Sequence, residues 1–138
     1  MNSLDLIKAE FSKEDIEIMI MQAPILEQYS QQEIKEYVNL ISLKIDNRPG
    51  ARNILRSCPQ IFLCPLASLR KKFGLFREIL NFSTAELAIL FQENPQLLRT
   101  DYEILQRKIQ NMLDKYKNIA IIKSDLQDNT QRHFPLTS

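Results

Sequence analysis

Apolar positions recur along this chain at three- and four-residue spacing, and the pattern is written three times around a proline. Pro24, Pro59 and Pro95 stand 35 and 36 residues apart, and aligning the chain on them brings other positions into register. Eight residues before each proline are Ile16, Ala51 and Leu87; five before are Met19, Ile54 and Leu90; four before are Ile20, Leu55 and Phe91. These share one face of a helix. Two residues after the prolines come Leu26, Ile61 and Leu97. Further on stand three more trios: Ile34, Leu69 and Leu105; Val38, Phe73 and Ile109; Ile41, Phe76 and Met112. Their i, i+4, i+7 spacing predicts a second amphipathic helix.

Start and stop signals agree with that register. Ser12 with Asp15 and Ser83 with Glu86 read as capping boxes opening the first helix of repeats one and three. Ser30 with Glu33 and Thr100 with Glu103 do the same for the second helix, where repeat two has Pro65 instead. The first helices are expected to end near Ala23, Cys58 and Asn94, because a residue before proline is pushed out of the α region. A lone helical hairpin leaves its apolar stripe wet, whereas stacked hairpins bury one another. The expectation is an all-α, right-handed helical-repeat solenoid of about three units. Residues 1–9, with Leu4, Leu6 and Ile7, form an N-terminal cap; 10–46, 47–81 and 82–117 are the repeats. Residues 118–138 are a C-terminal cap and polar tail, in which Ile119, Ile121 and Ile122 continue or cover the last helix and fraying begins at Ser124. His133-Phe134-Pro135 lacks the preceding apolar stripe and is not a further repeat.

Composition supports the helical class. The chain has 138 residues, 44% of them apolar, only two Gly and no Trp, which suits one compact domain rich in helix formers. Cys58 and Cys64 are too few for a disulfide framework, and with a single His they cannot supply a structural zinc site, so both read as free thiols and no cofactor is expected. No apolar run approaches the roughly 18 residues of a membrane span, and the start lacks a secretory signal. Asp5, Glu10, Glu14 and Asp15 argue against an intact transit peptide, which leaves the cytoplasm as the default compartment.

With the register in place, the segments 54–62 (ILRSCPQIF) and 81–98 (NFSTAELAILFQENPQLL) resemble the repeat of the mitochondrial transcription termination factor (mTERF) family. The resemblance runs over residues 10–117 and is strongest in repeat three. It implies a curved stack whose basic surface binds duplex DNA or structured RNA in mitochondria or another organelle, serving gene expression there without enzymatic activity. A short form could instead bind a partner protein.

Independently of any family, the cations are the main chemical signal. Residues 1–47 hold nine acids and four bases, net −5, whereas 48–138 hold fourteen bases and eight acids, net +6. Arg48, Arg52 and Arg56 fall at i, i+4 and i+8 of one helix, and Arg70, Lys71 and Lys72 cluster on the next, with Arg77 beyond them. Lys71 and Lys72 recur in register as Arg107 and Lys108, while repeat one has Glu36 and Tyr37 there. Stacked repeats would align these cations as a ladder matching a phosphate backbone. The candidate nucleic-acid contacts are therefore Arg52, Arg56, Arg70, Lys71, Lys72, Arg107 and Lys108. Phe73, Phe76 and Phe91 belong to the core stripes, and Tyr37, Tyr102 and Tyr116 lie beside them, free to meet a base or a partner. No Ser or Cys has the surroundings of a nucleophile, Asn47-Arg48-Pro49-Gly50 reads as a turn, and no small-molecule substrate is implied. Two readings stay open: a nucleic-acid module and a protein-interaction scaffold.

Overall fold

The computed structural model describes residues 10–116, 119–124 and 126, mostly helical with short connections, and no strand among them. The proposed 1–9 cap and the His133-Phe134-Pro135 segment lie outside the described residues, as does the Tyr116 side chain. The first unit is α1 (Lys13–Gln22), a 3-10 turn (Pro24–Gln28) and α2 (Gln31–Ile45). The second is α3 (Arg48–Ser57), a 3-10 turn (Pro59–Leu63) and α4 (Leu66–Gly74), which runs on into a π turn (Leu75–Ile79). The third is α5 (Thr84–Glu93), the short α6 (Gln96–Arg99) and α7 (Tyr102–Tyr116).

The prolines act as expected. Ala23, Cys58 and Asn94, each followed by proline, adopt nearly one conformation, with φ/ψ of −140/79°, −140/76° and −135/63°. All three have left the α region, as the following proline ring requires. Each still donates its N–H four residues back, to Met19, Ile54 and Leu90, and accepts from Leu26, Ile61 and Leu97. The chain thus bends sharply while keeping its backbone groups paired. The second helices end alike as well: Asp46 and Asn81, equivalent in register, take left-handed φ values of 50° and 57°, which short polar side chains tolerate. Phe82, between Asn81 and the N-cap Ser83, is the extra residue that lengthens the second spacing to 36. It is buried, stacked edge-on against Phe76, with centroids 5.9 Å apart.

First helices open on equivalent N-caps. Ser12, Asn47 and Ser83 accept from the amides of Asp15, Gly50 and Glu86. Asn47-Gly50 is therefore a helix start rather than the free turn its composition suggested, because Pro49 sits where a helix N–H needs no partner. Ser30/Glu33 and Ser83/Glu86 close full capping boxes, whereas the Asp15 carboxylate turns away to Arg56. The expected Thr100/Glu103 box does not form. The Thr100 hydroxyl donates to the Gln96 carbonyl, and Asp101, in register with Ser30 and Pro65, precedes the first helical residue.

All nine second-helix stripe residues, from Ile34 to Met112, are buried. Helix α2 packs on α4 and α4 on α7, which makes one layer of second helices; α3 packs on α2 and α5, while α6 and α1 meet the Pro59–Leu63 turn. Phe91 joins the layers, edge-on to both Phe73 and Phe76 at 5.1 Å. Residues 119–124 and 126 are helical, with Ile122 and Leu126 fully buried. They stand 35 residues after Leu87 and Phe91 and so repeat the first-helix pattern, Ile122 within the expected cap and Leu126 beyond Ser124, where fraying was expected.

Candidate nucleic-acid interface

The seven candidate cations separate into three environments. Helical periodicity does place Arg48, Arg52 and Arg56 on one side of α3, but that side faces the acids of repeat one. Arg48 and Arg52 both reach the Glu10 carboxylate, at 2.5 and 3.5 Å, and Arg56 binds Asp15 at 2.9 Å as well as the Asn53 side chain. The hydrogen bond from Arg56 is the main reason the Asp15 carboxyl titrates below its ordinary range. An equivalent pair joins Lys123 to Glu86 at 2.8 Å, and again the bonded cation holds the carboxyl low. Arg52 and Arg56 thus tie one repeat to the next through Glu10 and Asp15.

Lys72 is a clear correction. It is 1% exposed, and its Nζ donates to the Leu98 carbonyl at 2.7 Å, with Cys64 Sγ at 3.6 Å. Its register equivalent Tyr37 is also buried and donates to the Cys64 carbonyl, while Tyr29 donates to that of Phe62. Burial raises both phenols, that of Tyr37 to about 12. Phe62 and Leu98 are equivalent positions at the ends of proline-led turns, where carbonyls lack helical partners. The column thirteen residues after the proline therefore points at the next repeat's turn, so one residue of helical rotation separates Lys72 from the surface. Tyr37, for the same reason, is unavailable to a base.

The outward positions are those eleven and twelve residues after the proline. Arg70, Lys71 and Arg107 are exposed there, as are Lys35 and Glu36 in repeat one. Among the described residues, none of Arg70, Lys71 and Arg107 has a carboxylate within ion-pair distance. Lys108 is half-buried beside Arg107. Arg77 is exposed and donates to the Thr84 hydroxyl at 2.8 Å. Of the candidate cations, those at the surface thus lie on stacked helices α4 and α7, with Lys35 exposed on α2 beside them.

Two open grooves cross this surface. One, of about 330 Å³, lies between α2 and α4 and is lined by Glu36, Asn39, Leu43, Lys44, Leu66 and Arg70. The other, of about 310 Å³, lies between α4 and α7 and is lined by Arg70, Lys71, Gly74, Glu78, Ile79 and Tyr102. They are one groove made twice: Glu36, Asn39, Leu43, Lys44 and Leu66 become Lys71, Gly74, Glu78, Ile79 and Tyr102 in register. Gly74 and Glu78 escaped the sequence reading, although a glycine inside an amphipathic stripe was a visible signal.

The described residues contain no cluster of metal-ligating side chains, and none of their helices is long and apolar enough to cross a membrane. No curated protein compared with the chain matches it. The mTERF family model, by contrast, matches residues 6–135, nearly the whole sequence. Together with the threefold helix, proline turn and helix stacked on itself, that match establishes that the chain belongs to the mTERF family.

Proposed function

We propose that this protein is a non-enzymatic nucleic-acid-binding module of organellar gene expression that holds duplex DNA or structured RNA mainly through phosphates. The family is one of helical-repeat nucleic-acid-binding proteins of organelles, and that membership supports both the partner class and a mitochondrial location. The observation that carries the reading is the set of exposed cations Arg70, Lys71 and Arg107 on stacked helices, Lys71 and Arg107 in register, none of them paired with any described carboxylate. Lys108, half-buried in the column of Tyr37 and Lys72, is not counted in that set. Phosphate contacts fix position without reading bases, so binding by this strip alone is weakly sequence-selective. In repeat one Glu36 ends the column of Lys71 and Arg107, while Lys35 stands in the place of Arg70.

A protein-interaction scaffold is the second reading, and one observation favours it. Leu43 is 78% exposed and shares the α2/α4 groove with Leu66, which gives that groove an exposed aliphatic wall. Titration against duplex DNA, structured RNA and single strands at two salt concentrations separates the readings. Salt-sensitive binding to a nucleic acid is the expected result; no binding to any of the three at low salt would overturn the proposal and leave the apolar groove as the place to seek a partner.

A further inference from the structure

The duplicated groove carries its own internal comparison. Of the chain's two glycines, Gly50 has a packing reason: a Cβ there would meet the Asn47 side chain at 2.9 Å and that of Gln92 at 3.0 Å. Gly74 has none. A Cβ would find only Glu78 Oε2 within 4 Å, at 3.9 Å, and the backbone is ordinary helix. A helix interior without steric need for glycine ordinarily favours a residue with a side chain. The space kept open at Gly74 is the floor of the α4/α7 groove, directly before the π turn, a distortion frequent at functional sites.

Around that floor, three substitutions relative to the α2/α4 groove suit a nucleotide, while a fourth, Lys44 to Ile79, leaves the net charge of the two linings equal. Glu36 is replaced by a cation, Lys71; Leu66 by an aromatic ring, Tyr102; Leu43 by a carboxylate, Glu78. Lys71 Nζ lies 5.8 Å from the centre of the Tyr102 ring, so a cation and a stacking surface adjoin on the scale of one nucleotide. Tyr102 is only partly buried and packs against the core, so part of it faces the groove. A purely phosphate-binding groove would gain nothing from a glutamate at its rim. A base-binding one would, since a carboxylate accepts from exocyclic amino groups.

We propose that the α4/α7 groove is a subsite for one unpaired nucleotide. Its base stacks on Tyr102 above Gly74, its phosphate lies against Lys71 and Arg70, and Glu78 accepts from the amino group of cytosine, adenine or guanine. This rests on the nucleic-acid reading and adds to it a preference for bulged or looped positions over continuous duplex.

The test uses the full chain and RNA and DNA hairpins that are either fully paired or carry a single bulged nucleotide. The bulged forms should bind more tightly than the paired ones, and a bulged uridine or thymidine more weakly than a bulged cytidine. Tyr102→Leu installs the residue of the neighbouring groove and so preserves the fold. It should weaken binding of the bulged cytidine hairpins about 5- to 100-fold while leaving paired hairpins within about twofold, and Tyr102→Phe should bind like the parent. A bulged 2-aminopurine should be quenched on binding by the parent and not by Tyr102→Leu. Equal binding of paired and bulged hairpins, unchanged by Tyr102→Leu, would overturn the subsite and leave phosphate binding standing; failure of the parent to bind any hairpin would overturn both.

Discussion

Lys72 in the second repeat donates to the carbonyl of Leu98 in the third, across 2.7 Å of protein interior. A cation that sequence alone assigns to a phosphate is thus used to close the end of the next repeat's turn. Lys72→Gln should therefore lower stability, by about 1.5 to 3 kcal/mol for a buried hydrogen bond to a charged donor, and should not alter the salt dependence of nucleic-acid binding. Denaturant titration and binding isotherms check the two halves. Unchanged stability with a shallower salt slope would return Lys72 to the surface.

Phe73 is 1% exposed and meets Phe91 edge-on, so it joins second-helix and first-helix layers. Phe73→Ala should cost about 3 to 5 kcal/mol. A change under about 1 kcal/mol in a urea titration would mean that the two layers do not share this core.

Gly74→Ala should raise stability by up to about 1 kcal/mol, since the helical backbone accepts a Cβ that meets only Glu78 at 3.9 Å. Gly50→Ala should do the opposite, because its Cβ would displace the N-cap side chain of Asn47. Thermal melting of the two variants side by side checks the contrast; destabilisation by both would show that Gly74 too is required by packing.

Stability should fall at both ends of the pH range. Asp15 and Glu86 are held below 3.8 and 4.5 by Arg56 and Lys123, so the unfolded chain takes up protons first. Their contribution is present above those unfolded values and is lost as pH falls through the lower folded ones. Tyr37 runs the other way: burial lifts its phenol from 10.0 to about 12, so its contribution is whole below 10.0 and is lost as pH rises toward 12. Urea midpoints measured against pH should lose part of their acid dependence in Asp15→Asn and part of their alkaline dependence in Tyr37→Phe. An unchanged acid limb in Asp15→Asn would remove the Arg56 pair from the account.

The three prolines made the helix ends legible because proline acts locally, through the ring's clash with the residue before it. The same spacing contained more than was drawn from it. Ser12 and Ser83 already pointed to Asn47 as an N-cap, and Ser30 to Asp101 rather than Thr100, but side-chain type suggested a turn and a box instead. Ile122 and Leu126 continued the first-helix column beyond repeat three, where the absence of a proline at the expected distance hid them. Charge was legible only as composition. Whether Arg56 meets Asp15 or solvent, and whether Lys72 faces the next turn or a phosphate, depends on how one repeat rotates against another, and no single repeat's sequence carries that angle.

The exposed second-helix cations are expected to hold nucleic-acid phosphates. The most direct measurement is the slope of log affinity against log salt concentration on duplex DNA for the parent and for a variant with Arg70, Lys71 and Arg107 all replaced by Gln. Each lost phosphate contact flattens that slope by about 0.9, so the triple variant should bind more weakly and with a slope shallower by up to about 2.7. Replacing Arg52 and Arg56, which face Glu10 and Asp15, should change the slope little. A triple variant that keeps the parent's affinity and slope would contradict the claim.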